Sequence, residues 1–497
     1  MRGDDGEHGQ DRDDDQFAGL VGGERVTGER GTYDVVNPAT EAVVGRAPEM
    51  SPAQIEAATA AAAAAFPAWS RTHPDERAAL LGRLAELLGA HADELVPLVQ
   101  AETGATLRVA RSMQVPQAVE RFRRYVRGAV EPTATPLPPT EMPATALAAG
   151  SLLGAVVDRR PVGVVACVTP YNFPLVNTAG KIGPALAMGN TVVVKPAPQD
   201  PLAVLRLGDL AAEAGFPPGV VNVVTGSGPD VGEALVASGH VDMVSFTGST
   251  GVGRRIGEVA GRDMKRLLLE LGGKGAGLVF DDADLRTAVA AIASVWGFHS
   301  GQICTAPTRV IAQRGIHDDL VAGLEAAAAK MTVGDPLAPD TVVGPVISAA
   351  HRDRVEAYVR SAADDGGSVV VGGERPDVSP GFYVSPTLIT GCTPGMRVVQ
   401  EEIFGPVVVV LAFDDEDEAV ALANGTDFGL NDYVFTGDSS RGMRVARQLR
   451  TGSVAINTAQ QSPEAAFGGF KLSGVGRDRG SFGLHAYSEL QSIVWPG

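Results

Sequence analysis

Short apolar runs alternate with amphipathic stretches along most of the chain. Runs rich in β-branched residues and bounded by turn residues are typical of strands. The first set of predicted strands is Val162–Val168, Thr191–Val194, Val220–Val224 and Met243–Phe246. The stretches between them have a helical pattern, at Lys181–Met188, Leu202–Ala214 and Val231–Ala237. Strands that alternate with helices predict βαβ units and a parallel sheet with right-handed crossovers.

A second alternating set begins after Glu270. Its predicted strands are Gly277–Phe280, Thr308–Ala312, Ser368–Val371, Val407–Phe413, Tyr433–Thr436 and Ser453–Asn457. No repeat of fixed period occurs, which argues against solenoids and propellers. The pattern therefore predicts two α/β domains that join near residue 270.

The region before residue 160 has a different character. Ser51-Pro52-Ala53-Gln54 predicts a helix start, because Ser can cap the helix, Pro suits the first position and Gln can reach back. A second amphipathic helix is predicted from about Asp75 to Leu88. The Pro-rich segment Glu131–Gly150 predicts an excursion away from the domain core. Residues 1–16 are predicted to be a disordered acidic tail.

Composition and charge exclude several classes of function. The 497 residues include 59 acidic and 41 basic ones, which gives a formal net charge of −18. Nucleic acids and anionic membranes bind basic surfaces, so neither is expected as a partner. No apolar stretch reaches the roughly 18 residues of a membrane span, and the N-terminus lacks the features of a signal peptide. We therefore expect a cytoplasmic protein. Three cysteines are too few for a disulfide scaffold or a Cys-rich zinc site, and no metal is expected.

The three cysteines have different contexts. Cys167 lies in an apolar run that is typical of a core, and Cys392 lies in a loop. Cys304 follows Gly301-Gln302-Ile303 in a turn-like segment that enters an apolar run, where a thiol could face a cleft. On this context alone, Cys304 is either a nucleophile or an ordinary small residue.

Several other residues end predicted strands, where open α/β sheets bind ligands. Lys195 ends one strand, and Glu270 follows an apolar run and precedes two glycines. The segments Thr225–Gly232 and Phe246–Gly253 are rich in glycine, but neither matches the GxGxxG dinucleotide fingerprint. Taken singly, each feature is equally compatible with an ordinary loop or turn.

Together, these segments form seven blocks whose order and approximate spacing carry a family resemblance. The blocks are Thr169-Pro170-Tyr171-Asn172-Phe173-Pro174, Lys195-Pro196-Ala197, Phe246-Thr247-Gly248-Ser249, Leu269-Glu270-Leu271-Gly272-Gly273-Lys274, Gly301-Gln302-Ile303-Cys304, Glu402-Ile403-Phe404-Gly405-Pro406, and Phe467-Gly468-Gly469-Phe470-Lys471 with Ser473-Gly474. From about Phe17 to Trp495 the chain resembles the aldehyde dehydrogenase superfamily.

The resemblance implies an α/β fold with two Rossmann-like parallel-sheet domains plus a small β oligomerisation arm. Residues 17–130 and 161–270 would form the dinucleotide-binding domain, and residues 271–478 the catalytic domain that carries the nucleophile. Residues 131–160 and 479–497 would form the arm, which extends a neighbouring subunit's sheet. A homodimer or homotetramer is therefore expected.

The resemblance also implies a mechanism for oxidising an aldehyde to a carboxylic acid. Cys304 would attack the aldehyde, and the side-chain amide of Asn172 with the backbone N–H of Cys304 would stabilise the oxyanion. Glu270 would activate the water that releases the acyl group. Branches that transfer the acyl group to coenzyme A generally lack this carboxylate, so Glu270 favours hydrolysis. The alternatives are a CoA-acylating semialdehyde dehydrogenase and a catalytically silent family member that acts as a binding protein.

The implied cofactor is NAD, with NADP also possible. The residues that match cofactor-binding positions of the family are Thr169, Pro170, Lys195, Pro198, Gly228, Thr247, Gly248, Ser249, Val252, Leu271, Glu402 and Phe404. Pro198 stands where NAD-preferring members often carry a Glu that binds the adenosine ribose. Its side chain can accept no hydrogen bond, and it removes a charge that would repel the 2′-phosphate of NADP.

The residues that match the substrate pocket indicate the kind of aldehyde. They are Phe173, Gly180, Phe298, Ile303, Thr305 and Phe467. Gly180 stands where many members carry a bulky residue, so the pocket is expected to be apolar and roomy. The sequence therefore predicts a medium-sized hydrophobic or aromatic aldehyde as substrate.

Overall fold

The structure, a computed structural model, describes residues 17–496. The predicted acidic tail, residues 1–16, lies outside the described residues. The strands of the described part, β1 to β20 in chain order, are Gly19–Val21, Glu24–Val26, Thr32–Val36, Val43–Pro48, Ala134–Met142, Ser151–Pro161, Val164–Val168, Thr191–Lys195, Val221–Val223, Met243–Thr247, Arg266–Glu270, Ala276–Val279, Arg309–Gln313, Ser368–Val371, Thr387–Thr390, Val407–Phe413, Asn431–Phe435, Ser453–Ile456, Gly474–Val475 and Ser488–Pro496.

The α-helices of the same residues, α1 to α16 in chain order, are Pro52–Trp69, Pro74–Ala90, Ala92–Thr103, Leu107–Val109, Val115–Ala129, Pro174–Ala187, Leu202–Glu213, Pro229–Ala237, Thr250–Arg262, Leu285–Trp296, His317–Ala328, Ala349–Asp364, Arg397–Gln400, Glu416–Asn424, Ser439–Ala446 and Gly480–Ala486. None of the helices in residues 17–496 is long and apolar enough to cross a membrane.

Two large sheets confirm the predicted α/β class. The first has the strand order β19-β11-β10-β7-β8-β9-β1-β2, and its strands from β11 to β9 are parallel. The second has the order β14-β15-β16-β13-β12-β17-β18 and is parallel from β15 to β18. Helices connect the parallel strands, as right-handed crossovers require. Both sheets have fully buried central strands, which explains why these strands are continuous apolar runs in the sequence.

The parallel strands of the first sheet all end on the same side of the sheet, and we call this row of strand ends the carboxyl edge. Val168 at the end of β7 pairs with Lys195 at the end of β8, and Thr247 at the end of β10 pairs with Glu270 at the end of β11. Strands that end in register bring their following loops together. Residues far apart in the chain therefore meet at this edge, where ligands bind in open parallel sheets.

Helix α1 begins as the sequence predicts. The Ser51 hydroxyl accepts the Gln54 N–H at 3.3 Å, and the Gln54 side chain accepts the Ser51 N–H at 3.1 Å. This capping box satisfies two N–H groups that the helix itself leaves unpaired. Helices α2, α5 and α6 pack together beside the first sheet around a core of apolar side chains.

The Pro-rich segment forms a strand, which its local pattern did not indicate but which agrees with the β arm that the family resemblance implies for residues 131–160. β5 pairs antiparallel with β6, and β6 pairs with the C-terminal strand β20. The β5–β6 register shifts between Leu137 and Thr140, across two prolines. Prolines fit here because β5 is an edge strand, which needs hydrogen bonds on one side only. Apolar side chains of this three-stranded sheet remain exposed, such as Leu490 at 61% and Trp495 at 46%.

The C-terminal segment crosses the predicted domain boundaries. β19, which the sequence assigned to the catalytic domain, pairs with β11 at the edge of the first sheet. Helix α16, which the sequence assigned to the arm, packs against α5 and α6. The division of the chain into domains stays a prediction, and the structure limits the extended part of the C-terminus to β20.

Candidate functional site

Cys304 lies in a constrained loop between α10 and β13. The three residues His299, Ser300 and Gly301 all have left-handed backbone conformations, with φ of 48°, 56° and 71°. Such conformations cost roughly 1–3 kcal/mol each for residues other than glycine and persist only where the surroundings hold them. A Cβ at Gly301 would clash with the backbone of Gly405, so only glycine fits there.

Hydrogen bonds hold this loop from within. The Ser300 hydroxyl donates to the Gly344 carbonyl at 2.8 Å. The fully buried Gln302 side chain accepts the Ile347 N–H at 3.0 Å and donates to the His299 carbonyl at 3.2 Å. The loop therefore presents the half-buried Cys304 in a fixed position, as a nucleophile requires.

Asn172 joins the first sheet to this loop. It follows β7, and its Nδ2 donates to the Gln302 carbonyl at 2.9 Å. Its Oδ1 accepts the Phe173 N–H at 3.1 Å, which fixes the orientation of the amide. The second Nδ2 hydrogen has no partner that the structure records. The structure thus brings Asn172 and the cysteine loop together, and the oxyanion role of Asn172 stays a prediction.

Glu270 is a buried carboxylate without hydrogen bonds. Its side chain is 4% exposed, and neither carboxylate oxygen has a partner among the described residues. Burial raises the pKa of Glu270 well above its ordinary value, and the charge of Asp478 raises it further. The nearby cations Lys181, Arg479 and Arg477 oppose this shift. A carboxyl group with a raised pKa in a dry pocket suits general base work near neutral pH.

The Cys304 thiol is protonated in this arrangement. Burial raises its pKa to about 12, and the carboxyl groups of Glu402 and Glu270 add to the shift, whereas Arg479 opposes it. The thiolate is the reactive form of cysteine. The thiol therefore needs a proton acceptor before it can attack, and Glu270 is the unpartnered candidate beside it.

The predicted phosphate turn lies between β10 and α9. The Ser249 hydroxyl accepts the Val252 N–H at 3.4 Å and caps α9. A Cβ at Gly248 would clash with the Phe246 ring, and the Gly248 N–H donates to the Glu270 carbonyl at 3.1 Å. The N-terminus of α9, which is the positive end of its dipole, therefore lies close to Glu270 at the carboxyl end of β11. Such a helix N-terminus attracts a pyrophosphate.

Lys195 is a nearly buried amine close to two carboxylates. It is 7% exposed, and within residues 17–496 its Nζ donates only to the Pro196 carbonyl, at 3.3 Å. Burial lowers the pKa of Lys195 to about 8, while the charges of Glu49 and Asp230 oppose the shift. A buried amine with spare donors fits the hydroxyls of a nucleotide ribose. Pro198 supplies no side-chain acceptor here, as the sequence predicts.

Glu49 is a further residue near Lys195, and the sequence analysis did not single it out. It ends the β3–β4 hairpin region, and its two oxygens accept the Ser227 N–H at 3.0 and 3.2 Å. The adjoining Gly228 precedes α8 as its N-cap residue. Glu49 is more than 140 residues from Lys195 in the chain, so no local sequence signal could have indicated that its carboxylate lies near this lysine.

Glu402 and Phe404 lie on the loop before β16. Glu402 Oε1 accepts the Gly273 N–H at 2.9 Å, and burial raises the pKa of this carboxyl to about 7. A Cβ at Gly272 would meet Glu402 Oε2, so a side chain at position 272 would displace the Glu402 carboxylate. Phe404 has φ of +60°, and its ring meets the Tyr171 ring edge-on at 5.9 Å. The loop is thus held against the residues that follow Glu270.

The remaining predicted cofactor residues line the same edge. The buried Thr169 hydroxyl has no hydrogen-bond partner among the described residues, and its N–H donates to the Lys195 carbonyl at 3.1 Å. Pro170 follows directly. The Leu271 N–H donates to the Ser473 carbonyl at 3.0 Å, and its side chain fills the space beside Gly253 in α9. An unpaired hydroxyl, a nearly buried amine and a helix N-terminus along one edge fit a dinucleotide.

Aromatic rings form part of the predicted substrate pocket. Phe173 and Phe298 stack with centroids 6.4 Å apart, and Phe173 also contacts the ring of the buried His299. The Thr305 carbonyl accepts the Tyr433 hydroxyl at 2.8 Å, and the neighbouring Ile303 is half-buried. These contacts agree with an apolar wall close to Cys304.

Two arginines make the pocket less apolar than the sequence predicts. A Cβ at Gly180 would clash with Arg121 Nη1, so a guanidinium occupies the space expected to be empty. Arg479 lies over the Phe467 ring with its guanidinium carbon 4.1 Å from the centroid. Sequence reasoning missed both residues. The sequence signal that could have indicated Arg479 is its charge, because it stands between Asp478 and Gly480 in a glycine-rich segment.

Among the described residues, no group of three or more His, Cys, Asp or Glu side chains could hold a metal ion. The expected absence of a metal stays a prediction.

Comparisons with known proteins agree with this geometry. The model of the aldehyde dehydrogenase family matches residues 26–493. A betaine aldehyde dehydrogenase of Cereibacter sphaeroides is 41% identical over 480 residues, which cover 95% of this chain and 96% of that protein. A phenylacetaldehyde dehydrogenase of Pseudomonas fluorescens is 38% identical over 486 residues, covering 96% and 95%. The crystal structure of Staphylococcus aureus betaine aldehyde dehydrogenase in complex with NAD+ matches with a TM-score of 0.92 and 35% identity, covering 96% of this chain and 95% of that chain.

Proposed function

The chain belongs to the aldehyde dehydrogenase family, and we propose that it oxidises an aldehyde to the carboxylic acid with NAD(P)+ and water. The observation that carries the proposal is the Glu270 carboxyl group, which is buried, without hydrogen bonds and raised in pKa beside the Cys304 loop. A carboxyl group with a raised pKa is a stronger base than an ordinary carboxylate. Water therefore becomes the acyl acceptor.

The first half of the reaction forms a covalent bond to Cys304. After Glu270 takes the thiol proton, the thiolate attacks the aldehyde carbon and gives a tetrahedral thiohemiacetal. The free Nδ2 hydrogen of Asn172 and the Cys304 N–H stabilise its oxyanion. When bound, the nicotinamide supplies the hydride acceptor, and loss of hydride leaves a thioester on Cys304.

The second half releases the acid. Glu270 takes a proton from water, which attacks the thioester carbon, and the Cys304 sulfur leaves as thiolate. Because the same carboxyl serves twice, its surroundings must let the proton escape between the two steps. A CoA-acylating enzyme does not need this base, so the buried carboxyl supports hydrolysis over the acylating alternative.

NAD is the cofactor that the site fits best. Lys195 would bind the adenosine ribose, the N-terminus of α9 the pyrophosphate, and Glu402 the nicotinamide ribose. Pro198 would leave the 2′-hydroxyl without its usual partner, but Glu49 supplies a carboxylate close to Lys195 instead. A carboxylate there repels a 2′-phosphate, so NAD is favoured and NADP is the poorer cofactor.

The substrate is a small-molecule aldehyde that fits beside stacked rings. The Phe173–Phe298 pair supports the predicted medium-sized hydrophobic or aromatic body. Phenylacetaldehyde, which gives one relative its name, lies in this range, whereas betaine aldehyde, which names the other, is a cation outside it. The exposed apolar side chains on β20 support association with a second copy of the chain, as a homodimer or homotetramer. A cytoplasmic location stays a prediction.

One assay separates the proposed function from its alternatives. The purified protein is given a panel of aldehydes with NAD+ or NADP+, with and without coenzyme A, and reduced cofactor is followed by absorbance. We expect turnover without coenzyme A. Turnover that requires coenzyme A would establish the acylating alternative, and no turnover with any aldehyde would favour a silent family member.

A further inference from the structure

Arg479 is held against Phe467, one of the residues predicted to line the substrate pocket. Residues 467 and 478 exchange two backbone hydrogen bonds, of 2.9 and 2.6 Å, which place Arg479 against the Phe467 ring. The next residue, Gly468, faces the catalytic base, because a Cβ there would lie 2.8 Å from Glu270 Oε1. The ring under the guanidinium and the residue that faces Glu270 are therefore direct neighbours in the chain.

Among the described residues the charges of Asp478 and Glu270 act on Arg479, but neither carboxylate forms an ion pair with it. Within residues 17–496 no Asp or Glu lies at ion-pair distance from its guanidinium, and its one side-chain acceptor is Gln461 Oε1 at 2.7 Å. The neighbouring Asp478 pairs with Arg121 instead, at 3.5 Å. A guanidinium has five N–H donors, so most of those of Arg479 remain available.

Arg479 also lines an open cleft of about 180 Å³. Its other walls include Asn431, Gln460, Gln461 and Ala466. Asn431 is 1% exposed, and its Nδ2 has no acceptor in the described structure, while its Oδ1 accepts Gln461 Nε2 at 3.1 Å. The cleft is therefore lined by amide and guanidinium donors and offers no carboxylate.

We propose that Arg479 binds a carboxylate at the far end of the substrate, so that the preferred substrate is an anionic aldehyde. The inference rests on the proposed function and defines its substrate class. Planar guanidinium groups bind carboxylates through paired hydrogen bonds, and the Phe467 ring keeps this one in place. A cationic substrate such as betaine aldehyde meets like charge at Arg479, and a neutral aldehyde leaves the cleft's donors unpaired.

The test compares three aldehydes of different charge with NAD+. The probes are 4-oxobutanoate, butanal with the same four-carbon chain, and betaine aldehyde. For the unaltered chain we expect kcat/KM to be highest for 4-oxobutanoate and lowest for betaine aldehyde. In Arg479→Gln the ratio of kcat/KM for 4-oxobutanoate over butanal should fall about tenfold or more, because a charged hydrogen bond is lost. Arg479→Lys should retain part of the ratio.

Arg441→Gln is the matched control. Arg441 also lies over an aromatic ring, Phe280, at 5.0 Å, but it pairs with Asp282 on the surface of the second sheet's domain. This control should leave the ratio unchanged. Preference of the unaltered chain for betaine aldehyde or butanal, or an equal loss on both aldehydes in Arg479→Gln, would overturn the proposal. Failure of the proposed function is distinct, because then no aldehyde is oxidised without coenzyme A.

Discussion

The proposed site has a nucleotide side and an acyl side, which are built in different ways. The nucleotide side, made of Lys195, the N-terminus of α9 and Glu49, consists mainly of strand ends and a helix end. The acyl side, made of Asn172, Glu270 and Cys304, consists of side chains that loops from both sheets bring together. The first divides its contacts among two side chains and the backbone of a helix end, so single substitutions should weaken binding gradually. Individual side chains carry the second, so single substitutions should stop the chemistry.

The largest effect is expected from Cys304→Ala. Removing the nucleophile removes the covalent step, so we expect aldehyde oxidation to fall by about 10⁴-fold or more. Binding of NAD+, measured by titration calorimetry, should persist, because the nucleotide side is intact. Cys392→Ala is the control, since this free cysteine lies in a loop of the second sheet and should keep full activity. Retained activity in Cys304→Ala would identify another nucleophile.

Glu270→Gln should lower kcat by about 10²–10³-fold, because the base that deacylates the enzyme is lost. The pH profile adds a second readout. A base works in its deprotonated form, and the pKa of Glu270 is raised, so kcat of the unaltered chain should rise as pH increases through that raised pKa. Glu270→Gln should lack this limb. An unchanged pH limb in the variant would assign it to another group.

Asn172→Ala should lower kcat by about 10²-fold, because one of two oxyanion donors disappears. The change also removes the hydrogen bond to the Gln302 carbonyl, so thermal unfolding should be measured alongside. A loss of kcat with an unchanged melting temperature supports the oxyanion role. A fall in stability with normal kcat at low temperature would indicate that Asn172 only supports the loop.

Glu49→Gln tests the nucleotide side and should have the smallest effect. Removing the carboxylate near Lys195 should lower the ratio of kcat/KM for NAD+ over NADP+ by about fivefold, because a repulsive charge at the 2′-position is lost. The neutral amide can still accept the Ser227 N–H, which keeps the loop in place. A ratio that stays constant would show that Glu49 does not face the ribose.

The same contrast explains what the sequence could predict. The capping box at Ser51 and the strand Val407–Phe413 are local patterns, and both appear as predicted. The meeting of Lys195 and Glu270 at one sheet edge also follows from the alternation of strands and helices. The local pattern did not indicate β5, because its prolines are tolerated only on an edge strand and its edge position depends on pairing with β6; the β arm was implied only by the family resemblance.

Contacts between distant segments were out of reach of local patterns. Arg121 takes the space beside Gly180, and Arg479 lies over Phe467, but neither pair is close in sequence. Because the sequence does not reveal these contacts, the apolar residues by themselves predicted an apolar pocket. The family resemblance indicated Cys304, Glu270 and Asn172 because their blocks are ordered along the chain, but it contained no information on the two arginines.

The mass of Glu270→Gln after reaction tests the central claim most directly. The variant is incubated with NAD+ and an aldehyde that the unaltered chain oxidises, quenched in acid and analysed by intact-protein and peptide mass spectrometry. A thioester that forms but cannot be hydrolysed should add the mass of the acyl group to the peptide that contains Cys304. An unmodified Cys304 in a variant that turns over at the rate of the unaltered chain would contradict the account.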